Sequence, residues 1–277
     1  MLRRYGYLGL AMVLFAQLNF YLGIMPLAEW YIPIVWYGYI LVVDSLVLRL
    51  RGKSFITSYP REFVFLCAIS LPFWLISEAY NIVSITWVYS NYVWYIHLID
   101  FTTIMPAVLE TFALLSAIGA HGRLRSASSA AAGRRLAGTA LLAGCAMLLL
   151  PFAYPDATFP TIWMGLFLVA DSLNCFTGGA SILGMLERGG TRIPVQLMAS
   201  GLMMGFFWEF WNFQAYPKWI YQLLPVFQPA ARLFEMPLIG YIGYLPFAWS
   251  VLSFYELLRR VLFRGANPLL EMALARA

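Results

Sequence analysis

Apolar residues occur along this chain in long runs, separated by short segments rich in polar residues, Gly and Pro. A helix needs about 20 predominantly apolar residues to cross a bilayer, and eight runs are close to that length. The pattern therefore predicts an all-α polytopic integral membrane protein with eight transmembrane helices, near residues 5–25, 31–48, 63–80, 93–119, 136–153, 160–186, 193–213 and 235–258.

The distribution of basic residues predicts the orientation of these helices. With a cytoplasmic N-terminus, the cytoplasmic segments contain all but Lys218 and Arg232 of the 18 Lys and Arg residues. Cytoplasmic loops of membrane proteins are enriched in Lys and Arg, so this orientation is favoured. An even number of spans then places the C-terminus in the cytoplasm as well. The charged start and the long run at 5–25 predict an uncleaved first span.

Composition supports the membrane class and excludes other classes. Hydrophobic residues make up 62% of the chain and charged residues 11%, whereas soluble domains are about 45–50% apolar and about 25% charged. Basic cytoplasmic loops explain the net charge of +5, so we expect the lipid bilayer as a partner and no nucleic acid. The three Cys and two His residues form no ligand motif, and we expect neither a metal nor another cofactor. The expected location is the bacterial inner (cytoplasmic) membrane.

The chain also contains an internal repeat. The segment PIVWYGYILVVDSL at 33–46 aligns without a gap with PTIWMGLFLVADSL at 160–173, and the identical positions include Pro, Trp, Gly, Asp and Ser. A shared apolar bias does not produce matches of these residue types. We therefore predict a tandem duplication of a four-helix unit, with parallel repeats that cross the membrane in the same direction. The predicted organisation is a first repeat at 1–120, a basic cytoplasmic linker at 121–135, a second repeat at 136–264 and a short cytoplasmic tail at 265–277.

Each predicted repeat carries a Glu-x-x-Asn pair in its third helix, in SEAYN at 77–81 and in WEFWN at 208–212. Glu and Asn three residues apart share one helix face, and a Trp-x-Tyr motif follows each pair. A carboxylate among aromatic rings suits an organic cation, a proton or a carbocation-like intermediate. The alternative is that the pairs join helices by hydrogen bonds and the rings form an interfacial belt. The candidate substrate-binding residues are Glu78, Asn81, Trp87, Tyr89, Glu209, Asn212, Trp219 and Tyr221.

Three further acidic residues lie inside predicted spans, where a charge costs about 2.5–3.5 kcal/mol on insertion scales. The rise of a helix, ~1.5 Å per residue, places Asp44 and Asp171 roughly 16–20 Å from the outer ends of their helices. Glu110 is at least as deep, whereas Glu78 lies near the outer leaflet, so the sequence predicts two acidic layers. Asp44, Glu110 and Asp171 are candidates for a proton relay or an inner polar layer. The alternative for the two aspartates is a packing device in which the following Ser satisfies the carboxylate.

These features leave three functions open. The first is a transporter of a small solute, cationic or proton-coupled, with paired intramembrane carboxylates at the interface between the repeats. The second is a cofactor-independent membrane-embedded enzyme that performs acid–base chemistry on a lipid or an isoprenoid. The third is a structural or assembly subunit of a membrane complex.

Overall fold

The computed structural model describes residues 1–119, 124–125, 133–222, 231–263 and 265–274. Most of the predicted linker at 121–135 lies outside the described residues. The helices are α1 (Arg4–Leu22), α2 (Tyr31–Arg51), α3 (Phe55–Ser58), α4 (Pro60–Ser84), α5 (Trp94–Phe101), α6 (Ile104–Ala117), α7 (Arg134–Ala153), α8 (Pro155–Thr158), α9 (Thr161–Thr177), α10 (Ile182–Glu187), α11 (Arg192–Gln214), α12 (Tyr244–Leu262) and α13 (Pro268–Leu274). Two 3₁₀ helices and four short strands complete these elements: Leu27–Trp30, Leu238–Gly243, β1 (Trp87–Tyr89), β2 (Trp219–Tyr221), β3 (Arg232–Leu233) and β4 (Met236–Pro237).

Six helical segments in the described residues are long and apolar enough to cross a membrane, and they make the chain compatible with a multi-pass membrane protein. The all-α class is confirmed, whereas the count of eight spans stays a prediction. Of the two remaining predicted spans, one falls on α9, which has 17 residues, and the other on α11, which contains Arg192 and Glu209. The six segments are Arg4–Leu22, Leu27–Arg51, Pro60–Ser84, Trp94–Ala117, Arg135–Ala153 and Leu238–Leu262.

Two of the predicted helices are interrupted for local reasons. The run predicted at 160–186 ends at Thr177, because Gly178 adopts a left-handed conformation with a φ of 75°, and α10 follows as a separate helix. The run predicted at 93–119 divides into α5 and α6. At this division the hydroxyls of Thr102 and Thr103 donate to carbonyl oxygens of the preceding turn and compete with the regular helical bonds.

The run predicted at 235–258 does not begin as an α-helix. It starts with β4, continues as the 3₁₀ helix Leu238–Gly243, and becomes α12 only at Tyr244. Pro237 cannot donate a backbone hydrogen bond, and the two glycines of this segment weaken an α-helix at its start. The effect is that Tyr244 stands at the first position of α12, where it enters the site described below.

The long helices form two lateral pairs around a central group. α1 packs along α2 and α7 packs along α9, whereas α4, α6, α11 and α12 contact one another at the centre. Glycines allow close approach within the lateral pairs. A Cβ atom at Gly9 would lie 2.5 Å from the carbonyl oxygen of Gly38, and one at Gly165 would lie 3.1 Å from that of Gly144. Small residues at such crossings are typical of helix pairs in membranes.

The bundle has two distinct ends. The strands β1 and β2 pair with each other at one end, which we call the ribbon end. The short helices α3, α10 and α13 lie at the opposite end, because each follows a long helix that runs away from the ribbon. The segment predicted as a tail, 265–277, includes α13, whose apolar side chains are buried and which packs against α6.

The close crossing of α1 and α2 can be tested by adding one methyl group. Gly9→Ala places its Cβ atom against the backbone of Gly38, so we expect overpacking to lower the free energy of unfolding by about 1–3 kcal/mol. Gly138→Ala is the matched control, because no atom of a neighbouring described element lies within 4 Å of its added methyl group. Equilibrium unfolding in mixed micelles should separate the two variants, and equal stability would contradict the close approach.

Candidate functional site

The strands β1 and β2 form a two-stranded antiparallel ribbon that joins the segment after α4 to the segment after α11. Trp87 lies opposite Tyr221, Val88 opposite Ile220, and Tyr89 opposite Trp219. Since side chains alternate along a strand, the four aromatic rings share one face of the ribbon. Val88 and Ile220 occupy the other face and are 38% and 36% exposed. The ribbon therefore turns its aromatic face towards the bundle.

Two asparagines attach the ribbon to the long helices. The Asn81 side-chain amide donates to the Trp87 carbonyl oxygen at 2.9 Å and accepts from the Trp87 backbone N–H at 3.0 Å. Asn212 makes the same two bonds with Trp219, both at 2.9 Å. The side-chain amide of each predicted asparagine thus donates one hydrogen bond to the strand backbone and accepts one from it. In this structure the two amides hold the ribbon against the helices.

The two predicted glutamates lie beneath the ribbon, and each accepts hydrogen bonds from aromatic residues. Oε1 of Glu78 accepts from the Tyr89 hydroxyl at 2.5 Å and from Nε1 of Trp74 at 2.8 Å. Oε1 of Glu209 accepts from the hydroxyls of Tyr221 at 2.6 Å and Tyr244 at 2.7 Å. Each carboxylate is therefore bound by one tyrosine of the ribbon and by one further aromatic donor.

The second donor differs between the two glutamates for a steric reason. Trp74 lies four residues before Glu78 on the same helix, whereas the residue four before Glu209 is Gly205. A Cβ atom at Gly205 would lie 2.3 Å from the ring of Tyr244, so only glycine admits that ring. Glu209 is also fully buried, and its Oε2 has no hydrogen-bond partner among the described residues. Sequence reasoning did not find Trp74 and Tyr244, although the aromatic residue four positions before Glu78 could have indicated the first.

The hydroxyls of the two ribbon tyrosines keep their protons. Burial, and then the charge of Glu78, hold the pKa of Tyr89 well above its usual range. Burial and Glu209 act in the same way on the pKa of Tyr221. Both tyrosines therefore keep a proton to donate throughout the ordinary pH range.

Aromatic rings connect α4 and α11, the helices that carry the two glutamates. The ring of Trp74 lies 5.8 Å from that of Trp163 in a stacked arrangement and 5.3 Å from that of Trp208. Trp163 in turn meets Phe247 edge-on at 5.0 Å. The rings of the ribbon join this group, since Trp87 lies 5.8 Å from Trp74. We call this set the aromatic cluster, and a ligand between the glutamates would have to displace some of its rings.

A histidine that the sequence did not single out lies beside Tyr89, the ribbon tyrosine that donates to Glu78. The His97 ring is 4.5 Å from the Tyr89 ring, and its Nδ1 lies 3.4 Å from a carboxylate oxygen of Asp100. His97 and Asp100 are both buried, and Nε2 of His97 has no partner among the described residues. The i,i+3 spacing of His and Asp at the start of the run at 93–119 was the available signal. This pair is a candidate acid–base group.

The predicted inner residues Asp44 and Asp171 lie in α2 and α9, and each accepts hydrogen bonds from the start of the short helix that comes next in the chain. Asp44 accepts from the Ser54 hydroxyl at 2.8 Å, from the Ile56 backbone N–H at 2.9 Å and from the Tyr5 hydroxyl at 2.6 Å. The same spacing recurs at Asp171, which accepts from hydroxyls and backbone N–H groups around the start of α10: Ser181, Ile182, Leu183 and Ser253. These carboxylates satisfy free N–H groups at helix starts.

Glu110, the third predicted inner residue, is different. It lies on α6, is 1% exposed, and neither of its carboxyl oxygens has a hydrogen-bond partner among the described residues. Asp44 is its acidic neighbour. The structure thus brings Glu110 together with Asp44, and it places Asp171 in a separate site between α9, α10 and α12.

The described residues contain no group of three or more His, Cys, Asp or Glu side chains that could hold a metal ion. Comparison with protein families, characterised proteins and solved structures gives no match for this chain. The functional argument therefore rests on the geometry of the ribbon, the two glutamates and the buried carboxyl groups.

The asparagine clamp can be tested by removing one amide. Asn212→Ala leaves the Trp219 backbone N–H and carbonyl groups without their partners. Each buried group left unpaired costs about 1–3 kcal/mol of stability. We expect the Trp219 amide hydrogen to exchange with solvent roughly 10- to 100-fold faster, since about 1.4 kcal/mol corresponds to a factor of ten. Gln222→Ala, at an exposed residue just beyond β2, is the control and should leave this rate unchanged. Unchanged exchange in Asn212→Ala would mean that the clamp does not hold the strand.

Proposed function

We propose that this chain is an inner-membrane transporter of a small organic cation. In this proposal eight helices form two tandem four-helix repeats, with both termini in the cytoplasm, and the ribbon lies at the outer face. The packing of α1 with α2 resembles that of α7 with α9, and the close approaches at Gly38 and Gly165 occur at sequence-matched positions. These equivalences support the two-repeat arrangement.

The observation that carries the proposal is the pair of carboxylates beneath one aromatic ribbon. Glu78 and Glu209 occupy matched positions, and a tyrosine of the ribbon donates to each. Aromatic faces attract cations by about 2 kcal/mol or more when water is excluded, and a buried carboxylate supplies the compensating charge. An alkylammonium group suits this combination better than a strongly hydrated metal ion, because it makes no demand for oxygen ligands.

A transporter also needs a closure at the cytoplasmic end. Glu62 of α4 accepts hydrogen bonds from Arg259 of α12 at 2.9 and 3.1 Å and from Tyr255 at 2.6 Å. Arg259 is 1% exposed, so this ion pair is shielded from water. In the proposed mechanism this pair joins the two repeats at the cytoplasmic face, as the ribbon joins them at the outer face. Alternating access then requires that one of the two connections opens while the other stays closed.

The inner acidic residues enter the proposal in unequal roles. We proposed from the sequence that Asp44, Glu110 and Asp171 form a proton relay or inner polar layer. The hydrogen bonds of Asp171 favour a structural role for that residue, because its carboxylate already accepts from four donors. Glu110 beside Asp44 is the part of the layer that the geometry favours for proton exchange.

The asymmetry of the site favours a second candidate function. The His97–Asp100 pair lies on the Glu78 side. In addition, aligning MPAVLE at 105–110 with LPFAWS at 245–250 places Ser250 at the position of Glu110. Catalysis tolerates such asymmetry well, and a His beside a carboxylate is a suitable general base. We therefore keep a cofactor-independent enzyme that acts on a lipid or isoprenoid as the alternative. Lipid extracts from cells with and without the protein distinguish the two, since an enzyme must change a lipid species.

Neutralising the outer carboxylates tests the transport proposal. With the purified protein in proteoliposomes, Glu209→Gln should lower the affinity for tetramethylammonium by about 10- to 100-fold, as expected when a cation loses a desolvated partner worth about 1.4–3 kcal/mol. Glu78→Gln should have a similar or smaller effect, because Glu78 is only half-buried. Glu271→Gln changes an exposed carboxylate on α13 and serves as the control. If no organic cation in a test panel binds to the protein or is taken up, the proposal is wrong.

A reversible cross-link tests whether the ribbon must open. Val88 and Ile220 are directly opposite, and paired strand residues have Cα atoms about 4.5–5.5 Å apart, which a disulfide can span. In a background that lacks the three native cysteines, the double variant Val88→Cys, Ile220→Cys should lose uptake on oxidation and regain it on reduction. The single Val88→Cys variant is the control. Full uptake by the oxidised double variant would show that the ribbon stays closed during transport.

A further inference from the structure

Among the described residues, the carboxyl group of Glu110 has the least favourable environment for a polar group. It lies within α6 at 1% exposure, and neither oxygen has a hydrogen-bond partner. A buried carboxylate without donors or a counter-ion is strongly unfavourable, so such a group is found neutral or bound to a cation. The position of Glu110 therefore requires an explanation that the helix packing does not supply.

Asp44, the neighbour of Glu110, has the opposite environment. Its Oδ2 accepts from the hydroxyls of Tyr5 and Ser54, and its Oδ1 accepts from the Ile56 backbone N–H. Three donors directed at one carboxyl group stabilise its charged form. Of the two adjacent carboxyl groups, Asp44 is thus the one equipped to hold a negative charge, and Glu110 is not.

The corresponding place in the second predicted repeat has no such pair. Asp171 matches Asp44 in the sequence, and it accepts an additional hydrogen bond from the Ser253 hydroxyl at 3.0 Å. The residue aligned with Glu110 is Ser250, whose hydroxyl donates to the Phe247 carbonyl oxygen. The second repeat therefore satisfies its aspartate entirely with donors from the chain. Of the buried carboxyl groups in the described residues, Glu110 alone has both oxygens without a hydrogen-bond partner.

We propose that Asp44 and Glu110 bind one proton between them, with Glu110 as the carboxylic acid that donates to the Asp44 carboxylate. The pair then carries a single negative charge, which the three donors to Asp44 stabilise. A metal cation fits less well, because it would need several free oxygen atoms and those of Asp44 already accept three hydrogen bonds. This inference deepens only the inner part of the proposed function, and it stands if Glu78 and Glu209 bind no cation.

The other titratable groups near Glu110 do not compete for this proton. Tyr5 from α1, Tyr39 from α2 and Cys67 from α4 interact with it, and all three are neutral in their protonated forms. From α11, Ser200 donates to the Val108 carbonyl oxygen and carries no charge. The charged residues of α11, α12 and α13 near the same end of α6 are paired elsewhere or exposed: Arg192 with the Ala273 carbonyl, Glu256 with Asn267, Arg259 with Glu62, and Glu271 in an exposed position.

Infrared spectroscopy of the full-length protein in lipid nanodiscs tests the proposal. A protonated carboxylic acid has a C=O stretch that a carboxylate lacks, and ¹³C-labelled glutamate shifts that band only if the acid is a glutamate. The test uses a Glu209→Gln background, because Glu209 is also fully buried and one of its oxygens has no partner among the described residues. In that background we expect a glutamate band at neutral pH that is lost when Glu110→Gln is added and unchanged when Glu271→Gln is added. A band that persists with Glu110→Gln would overturn the proposal, and so would a band that NaCl removes but KCl does not.

A second variant keeps the test decisive if Glu110→Gln does not fold. Tyr5→Phe removes one donor from Asp44 and leaves Glu110 in place. Because the Asp44 charge then has fewer donors, it holds the shared proton more tightly, and the pH at which the band disappears should move upward. A titration of the band that is identical in wild type and Tyr5→Phe would show that the acid does not share its proton with Asp44.

Discussion

The paired hydrogen bonds between an asparagine side chain and the backbone of a tryptophan determine the arrangement of the whole ribbon end. A chain that leaves a helix in apolar surroundings must find partners for its N–H and C=O groups. Asn81 and Asn212 supply both partners at once, and each fixes the first residue of a strand against its own helix. The strands can then pair, and the tyrosine two residues further along reaches the glutamate one turn before the asparagine.

The same solution recurs at the opposite end with a different side chain. Asp44 and Asp171 project from long helices and accept from the backbone of the short helices that follow. In both places a polar side chain within a helix forms hydrogen bonds with the backbone of the segment that comes next in the chain. This rule accounts for Asn81, Asn212, Asp44 and Asp171. Glu110 differs from them, because neither of its carboxyl oxygens has a partner among the described residues.

Sequence reasoning singled out residues that the structure brings together, but it did not find most of their contacts. The Glu-x-x-Asn and Trp-x-Tyr motifs were recognisable because both copies keep the same spacing, and the structure brings each pair of motifs together. The pairing of β1 with β2 was not predictable, because it joins residues that lie far apart in the chain. The bonds of the asparagines to the strands were not predictable for a related reason, since helix spacing shows which face Glu and Asn share but not that the chain folds back onto them. Likewise, the end of α9 depends on Gly178 and on a carboxylate from the preceding turns, so hydropathy alone extended that helix too far.

The register of the ribbon has a consequence for the way the chain is built. Trp87, Val88 and Tyr89 match Trp219, Ile220 and Tyr221 in sequence. In the pairing, Val88 lies opposite its own counterpart, Trp87 lies opposite the counterpart of Tyr89, and Tyr89 lies opposite the counterpart of Trp87. Two identical strands related by a two-fold axis meet in the same way, so the contact is isologous. A chain of half this length would already carry every residue needed to form the ribbon with a second copy of itself. The ribbon therefore has the geometry of a homodimer interface, enclosed within one polypeptide.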